Sequence, residues 1–175
     1  QAPHRIRKLA WLAIVAVLVL VGASVALAQS QLEGKIRSGD QLVVPDDETV
    51  EGDLYATGGQ VRVDDTVDGD LLVASGTVTI TGQVTGDLMV AGGTIDVSGE
   101  VMGDARLAGG QLTLSGSIGE DLFVTSGQTS VTSSGEIGED LVFGSGRVAM
   151  NGAVTGDVLG ATGMYDRQGT VVGSE

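Results

Sequence analysis

The sequence predicts an all-β chain folded as a single-stranded parallel β-helix of about seven 17-residue coils, preceded by an N-terminal hydrophobic helix. Three observations predict this fold. Glycine supplies 29 of the 175 residues, most of the chain repeats every 17 residues, and apolar residues alternate with small or polar ones inside each repeat. Alternation is typical of strands that bury one face, and glycine permits the sharp corners between them.

The N-terminal segment, residues 1–30, is predicted to be a signal peptide or a transmembrane anchor. Arg5, Arg7 and Lys8 precede the uncharged run Leu9–Ala28, and twenty apolar residues are enough to cross a bilayer as a helix. The run ends in Ala-Leu-Ala before Gln29, which has the form of a signal-peptidase site. Whether the segment is cleaved or retained, the basic flank is expected to stay in the cytoplasm. Residues 31–175 are then expected on the extracytoplasmic side, exported or anchored to the membrane through residues 9–28.

The remaining residues, 31–175, are predicted to form one repetitive domain. Each copy reads D-L-x-V-x-x-G-x-V-x-V-x-G-x-V-x-G, as in the stretch Asp70–Gly86. One copy is two residues longer, with Ser133 and Ser134 as the simplest place for the extra pair. Upstream, Gly39–Gly52 matches half a repeat with its own insertion near residues 47–48. The aspartates that begin the seven copies are Asp53, Asp70, Asp87, Asp104, Asp121, Asp140 and Asp157.

Each coil is expected to contain three short strands and to bury five apolar side chains, because only alternate residues of a strand face the core. In the copy that begins at Asp70, the predicted core residues are Leu71, Val73, Val78, Ile80 and Val84. The last coil departs from this pattern, since Gly160, Tyr165 and Arg167 occupy its inward positions. A frayed end or a cap is therefore expected there.

The charge distribution and the missing residue types exclude several classes of function. The chain has no Cys and a single His, His4, so its body lacks thiol nucleophiles, thiolate metal ligands and a histidine base. Beyond residue 28 the chain has six Lys and Arg against 23 Asp and Glu, a formal charge of −17. Such a body repels phosphate backbones, so no nucleic-acid partner is expected. Paired carboxylates could serve glycoside hydrolysis, but nothing singles out one pair, and we expect no enzyme.

The run of G-D-L-x-V-x-x-G-x-V-x-V-x-G-x-V coils, over about residues 36–173, resembles the bactofilins, which are polymer-forming bacterial cytoskeletal proteins. The resemblance implies a right-handed β-helix that stacks end to end into non-polar filaments without nucleotide and attaches to membrane. It also implies a scaffold rather than an enzyme. The expected position outside the cytoplasm is a departure from that family, whose members are typically cytoplasmic.

The expected function is self-association into filaments or a scaffold of the membrane or cell envelope. The two ends of a β-helix present unpaired backbone groups and an open apolar cross-section, and repeated coils make these ends nearly complementary. A head-to-tail contact between them would propagate instead of closing. The residues expected at these contacts are Leu42, Val44 and Val50 at one end and Val148, Val154 and Val158 at the other.

The aspartate column has two interpretations. Seven carboxylates about 4.8 Å apart repel their neighbours by roughly 1 kcal/mol each in water, so something must offset the repulsion. In the first interpretation each aspartate starts a turn and accepts a local backbone N–H bond. In the second, the seven aspartates bind cations, for which Ca²⁺ is the best match to oxygen-only ligands. No other cofactor is expected.

A second column lies two residues after each aspartate, on the outward side of the same face. Six of its seven members are apolar where a solvated face should be polar. We name this column the lateral stripe and expect it to pack against a sister filament, a membrane surface or the termini of the chain. Its apolar members are Tyr55, Leu72, Met89, Phe123, Val142 and Leu159, and the seventh member is Arg106.

An alternative function remains open from the sequence. The chain could be a monomeric surface module that binds cations through the aspartate column or glycans through a threonine-rich face. That face includes Thr77, Thr79, Thr94 and Thr113, and Asp96 and Arg147 interrupt it. A binding module should keep a constant hydrodynamic radius as its concentration rises, whereas a self-assembling scaffold should not.

Overall fold

The structure is a computed structural model that describes residues 35–174, which form an all-β parallel solenoid. The predicted signal peptide or anchor, with its run Leu9–Ala28, lies outside the described residues. Each turn of the solenoid contributes one long strand of ten residues and one short strand of two. The long strands are β1 (Lys35–Val44), β3 (Leu54–Val63), β5 (Leu71–Ile80), β7 (Leu88–Val97), β9 (Ala105–Leu114), β11 (Leu122–Val131), β13 (Leu141–Met150) and β15 (Val158–Arg167). The short strands are β2 (Val50–Glu51), β4 (Val67–Asp68), β6 (Gln83–Val84), β8 (Glu100–Val101), β10 (Ser117–Ile118), β12 (Glu136–Ile137), β14 (Ala153–Val154) and β16 (Thr170–Val171).

The two kinds of strand build two parallel sheets along the same axis. The long strands form an eight-stranded sheet in the order β1-β3-β5-β7-β9-β11-β13-β15, and the short strands form a second sheet in the matching order. Each inner strand therefore pairs with its counterparts one turn before and one turn after it. This nearest-neighbour pairing is the defining property of a solenoid.

The expectation of three short strands per coil is wrong in detail, because two of them are one continuous bent strand. In β5 the side chains of Leu71 and Val73 are buried, and those of Val78 and Ile80 are buried again after a change in the alternation. Pairing with β7 continues on both sides of this corner. The hydrogen-bonded pairing continues past the corner because glycine lets the backbones of adjacent turns approach closely. A Cβ at Gly93 would lie only 2.8 Å from the carbonyl oxygen of Gly76.

The solenoid has about eight turns rather than the expected seven. The additional turn begins at Lys35, which pairs with Leu54 in the first rung of the long sheet. In the sequence Lys35 follows Gly34 and not an aspartate, so counting copies from their aspartates missed this turn. The half repeat at Gly39–Gly52 is thus part of a whole turn.

The predicted insertion sites are confirmed. The register between β1 and β3 is offset by 19 residues, as is the register between β11 and β13. In both places the extra residues form a turn after the long strand, at Asp46–Asp47 and at Ser133–Ser134. Because the strands on either side stay in register, the insertions are accommodated at the corner and leave the core pattern unchanged.

The predicted core is confirmed. Leu71, Val73, Val78, Ile80 and Val84 are at most 2% exposed, and their counterparts in the neighbouring turns are buried with them in one continuous cluster. Burial of each such side chain stabilises the fold by roughly 1.5–3 kcal/mol before conformational entropy is counted. The last turn has the expected exception, because Gly160, Tyr165 and Arg167 occupy inward register positions and are exposed.

Residues 35–174 contain no helix with the length and apolar character needed to span a bilayer.

Candidate functional surfaces

The seven repeat aspartates form a column in which each carboxylate is bonded to the next turn. Oδ1 of Asp53 accepts the backbone N–H of Asp70 at 3.1 Å, and Oδ1 of Asp70 accepts that of Asp87 at 2.9 Å. The same bond recurs at every later turn, with lengths of 2.7–3.1 Å, and ends where Asp157 accepts the N–H of Ser174. The donor is one turn away rather than local, which differs from the expected turn-starting bond. The column is therefore a side-chain ladder that runs beside the backbone ladder.

The glycine that precedes most of these aspartates makes room for this ladder. A Cβ at Gly69 would lie 2.9 Å from Oδ1 of Asp53 and 2.7 Å from the carbonyl carbon of Gly52. A Cβ at Gly103 would lie 2.5 Å from Oδ1 of Asp87. The Gly-Asp pair of the repeat is thus one structural unit, in which the glycine of one turn sits against the carboxylate of the turn before.

The ladder leaves one carboxylate oxygen, Oδ2, on each aspartate for other partners. Arg106 shows how such a partner is held. Its Nη2 donates to Oδ2 of Asp104 at 2.8 Å, and its Nη1 donates to Oδ2 of Asp87 at 3.3 Å. Its guanidinium carbon also lies 5.8 Å from the ring centroid of Phe123. One cation thus bridges two successive aspartates while it covers an aromatic side chain of the lateral stripe.

No group of three or more Asp, Glu, His or Cys side chains within residues 35–174 is arranged to hold a metal ion. Binding of Ca²⁺ by Asp53, Asp70, Asp87, Asp104, Asp121, Asp140 and Asp157 stays a prediction. Oδ1 accepts one backbone N–H throughout the column, and the Oδ2 atoms carry most of the remaining capacity to bind a cation.

The lateral stripe is a single row of side chains in register. Tyr55 pairs with Leu72, Leu72 with Met89, and the row continues through Arg106, Phe123 and Val142 to Leu159. The structure adds an eighth member, Ile36, which pairs with Tyr55. Sequence reasoning missed Ile36 because its turn has no aspartate from which to count.

Exposure along the lateral stripe is greatest at its ends. Leu159 is 70% exposed and Ile36 is 68% exposed, whereas Tyr55, Leu72, Met89 and Val142 are half-buried. Burial raises the pKa of the Tyr55 phenol, and the carboxylates of Asp53 and Asp70 raise it further. The lateral stripe and the aspartate column are thus adjacent, an apolar row beside an anionic one.

The threonine-rich face is polar and mixed in composition. One of its outward columns reads Gln60, Thr77, Thr94, Gln111, Gln128 and Arg147 in register. A hydroxyl cluster on this side was not predicted from the sequence: the hydroxyls of Ser126, Thr129 and Ser145 lie within 2.6–2.7 Å of one another. The only available signal was Thr129, which stands where neighbouring copies have Val, Ile or Leu in the core.

The first described turn has charged residues in inward register positions. Lys35 pairs with Leu54 and Arg37 pairs with Ala56, positions at which other turns have buried apolar side chains. Arg37 forms an ion pair with Glu48, which lies in the corner after β1. The hydrogen bond from Arg37 holds the pKa of Glu48 below its ordinary value.

The predicted end residues lie in the terminal and penultimate turns. Leu42, Val44 and Val50 belong to the first turn, where Leu42 is half-buried and both valines are fully buried. Val148 and Val154 belong to the seventh turn, where they are buried and pair with Tyr165 and Val171 of the eighth. Val158 is buried in the eighth turn. The inward register positions of the last described turn therefore hold Val158, Gly160, Tyr165, Arg167 and Val171.

An aromatic pair lies beneath the C-terminal end. The rings of Phe143 and Tyr165 stack with centroids 5.7 Å apart. Gly160 permits this arrangement, because a Cβ there would lie 2.5 Å from Cδ2 of Phe143. The last turn is thus covered partly by aromatic rings and is not completed by further aliphatic side chains.

The chain matches no protein-family model, no curated protein and no solved structure.

Proposed function

We propose that this chain is a non-enzymatic scaffold that assembles end to end through the turns of its solenoid, as the bactofilin resemblance of its repeat implies, but head to tail, which departs from the non-polar filaments of that family. The bactofilin resemblance also assigns the solenoid a right-handed winding. The observation that carries the proposal is the distribution of exposed apolar side chains. Among the described residues eight large hydrophobic side chains are exposed, and six of them lie in the two terminal turns. These six are Ile36, Val43, Leu159, Met164, Tyr165 and Val172.

Some exposed residues of the last turn are apolar where the same column is polar in the middle turns. Met164 lies in the column that otherwise holds Gln60, Thr77, Thr94 and similar polar residues, yet it is 54% exposed. Val172 follows β16 and is 73% exposed. A solvated end should be at least as polar as the middle of the solenoid, yet in the column of Met164 the last turn is less polar than the middle turns. Apolar residues concentrated at an end are typical of a surface that is covered in the assembled state.

The terminal strands also offer backbone pairing. β1 and β15 are the outermost long strands of the described chain, and parallel pairing joins every inner rung. If the same register continued between copies, Leu159 would face Ile36 of the next copy and Tyr165 would face its Leu42. The lateral stripe would then run unbroken across the junction. A contact between two different ends leaves a new pair of ends free, so growth would continue as a filament.

The proposed location is the membrane or cell envelope, with the solenoid on the extracytoplasmic side. This part of the proposal rests on the sequence of residues 1–30, where a basic flank precedes twenty apolar residues. The partner of the scaffold is then another copy of the chain, and residues 9–28 supply the attachment to the membrane if they are not cleaved.

Sedimentation velocity against concentration tests the self-assembly. The full chain, kept in solution by a non-ionic detergent, should sediment as a growing series of species as its concentration rises. The combined variant Met164→Lys and Val172→Lys places charges on the last turn and should stop that growth. The control variant is Thr94→Lys with Met102→Lys. Thr94 lies in the column of Met164 and Met102 in the column of Val172, but both are in the middle of the solenoid, so this variant should assemble normally. A single species at all concentrations, or equal effects of both variants, would contradict the proposal.

A further inference from the structure

We propose that the face formed by the aspartate column and the lateral stripe binds a cationic amphipathic protein segment, whose arginines bridge successive aspartates while its apolar side chains cover the stripe. This function is separate from end-to-end assembly, because it uses the side of the solenoid and needs only one copy of the chain. The partner is recognised by two chemical properties together, positive charge and apolar surface.

The anionic half of the face is built and repetitive. The Oδ1 ladder fixes each carboxylate to the next turn, so the column cannot relax its repulsion by moving side chains apart. The Oδ2 atoms stay available on the same side of the solenoid. A partner that places cations between the turns would relieve the repulsion between carboxylates about 4.8 Å apart.

The apolar half of the face runs along the whole described solenoid. The row from Ile36 to Leu159 crosses all eight turns, and Arg106 is its one charged member. The row extends about 34 Å along the axis, as expected for eight strands at ordinary sheet spacing. Water alone is a poor partner for such a row.

Arg106 is the internal example of the proposed contact. Its guanidinium contacts Oδ2 of Asp87 and Oδ2 of Asp104, and it lies over the ring of Phe123. At this one position the chain therefore supplies its own arginine. The arginine contacts two carboxylates and an aromatic ring at the same time. The turns that begin at Asp53, Asp70, Asp121 and Asp140 have the same carboxylate, but their member of the lateral stripe is not an arginine.

Charge selects the class of partner. The body of the chain has a formal charge of −17 beyond residue 28, so a second copy laid alongside would bring like charges together. An anionic membrane surface would be repelled for the same reason. A cationic amphipathic segment of another protein matches both halves of the face.

A labelled peptide of alternating arginine and leucine is the probe, and fluorescence anisotropy on the full chain in non-ionic detergent is the measurement. Replacing Asp53, Asp70, Asp121 and Asp140 with Asn removes four charges but keeps an oxygen that can accept the ladder bond. We expect this variant to bind about tenfold more weakly. The matched control replaces Asp68, Asp96, Glu100 and Glu136 with their amides and removes the same charge from other faces. We expect a loss of less than about threefold from it.

Two further comparisons separate the proposed contact from general attraction between charges. A peptide with citrulline in place of arginine, and one with serine in place of leucine, should both bind more weakly than the parent peptide. Arg106→Leu should strengthen binding, because it frees Asp87 and Asp104 and completes the apolar row, whereas Arg147→Leu should change binding less.

Four results would overturn the proposal. The first is an equal loss in the two sets of amide variants. The second is equal binding of the serine and leucine peptides, which would show attraction between charges only. The third is side-by-side association of the chain without peptide in low salt, which would assign the face to a second copy. Absence of any binding at low salt would overturn it as well.

Discussion

At the scale of single residues, the aspartate of each repeat joins neighbouring turns through its side chain. Its Oδ1 accepts an N–H from the following turn, and in most copies the residue before it is a glycine that leaves space for the carboxylate of the preceding turn, whereas Glu120 and Glu139 stand before Asp121 and Asp140. Both residues of the Gly-Asp pair therefore act through steric and hydrogen-bonding requirements. Charge is not needed for the ladder itself, so its structural and binding roles can be separated by substitution.

The first prediction separates these roles at Asp121, whose Oδ1 accepts the N–H of Asp140 at 2.9 Å. Asp121→Ala removes the acceptor and should lower the free energy of unfolding by about 1 kcal/mol. Asp121→Asn keeps an acceptor and relieves repulsion in the column, so its stability should equal or exceed that of the parent chain. Urea unfolding measures both variants. Equal losses in the two variants would show that charge, and not the hydrogen bond, is what the position requires.

The second prediction concerns the glycine of the Gly-Asp pair. A Cβ at Gly86 would collide with Oδ1 of Asp70 and would lie 2.8 Å from the carbonyl carbon of Gly69. Gly86→Ala should therefore destabilise the chain by about 1–3 kcal/mol. Gly144→Ala is the control, because a Cβ there meets no atom within 4 Å and should cost nothing. Similar urea midpoints for the two variants would show that the space beside Asp70 is not needed.

At the scale of elements, the repeat predicted the solenoid and its core. It did not predict the first turn, which lacks the repeat aspartate, or the continuity of the long strands. The 17-residue spacing and the alternation in Leu71–Ile80 were enough to assign its inward side chains, all confirmed by burial. The first turn was missed because it lacks the aspartate. The corner in each long strand was expected, but its continuous pairing could not be predicted, since alternation alone does not show whether pairing continues around a corner.

For the surfaces, the sequence predicted which residues share a column but not the contacts between them. The lateral stripe follows from counting two residues past each aspartate, and the register confirms that it is one row. The ladder bond was not predictable, because sequence shows which residues share a column but not which atoms meet between turns. The hydroxyl cluster of Ser126, Thr129 and Ser145 was missed for a similar reason, since it joins residues of two faces and two turns.

The third prediction concerns the first turn, where Arg37 and Glu48 join β1 to the corner after it. The hydrogen bond from Arg37 lowers the pKa of Glu48 from its ordinary value of 4.5, so this contact stabilises the turn above that pH. The contribution should be lost as the pH falls through the lowered pKa. Hydrogen exchange of β1, compared with Glu48→Gln at each pH, should show greater protection of the parent near neutrality and none in acid. A difference that persists in strong acid would contradict this role for the carboxylate.

At the scale of the whole molecule, the solenoid separates two kinds of surface. Its terminal turns expose apolar side chains and the outermost strands of the sheets, whereas one side presents the aspartate column beside the lateral stripe. Assembly through the ends would repeat that side along a filament and multiply the contacts open to a cationic partner. The high negative charge would oppose lateral association and favour single filaments, an effect that salt should weaken.

The most direct test of end-to-end assembly is electron microscopy of the full chain, in low and in high salt, with the power spectrum of any filament recorded. Head-to-tail assembly should give thin filaments with an axial spacing of about 4.8 Å between strands and a subunit repeat of about 38 Å, the length of eight turns. A repeat of twice that length would show alternating orientations of the copies, which the proposed head-to-tail register excludes. Single particles in every condition, or filaments without the strand spacing along their axis, would contradict assembly through the ends of the solenoid.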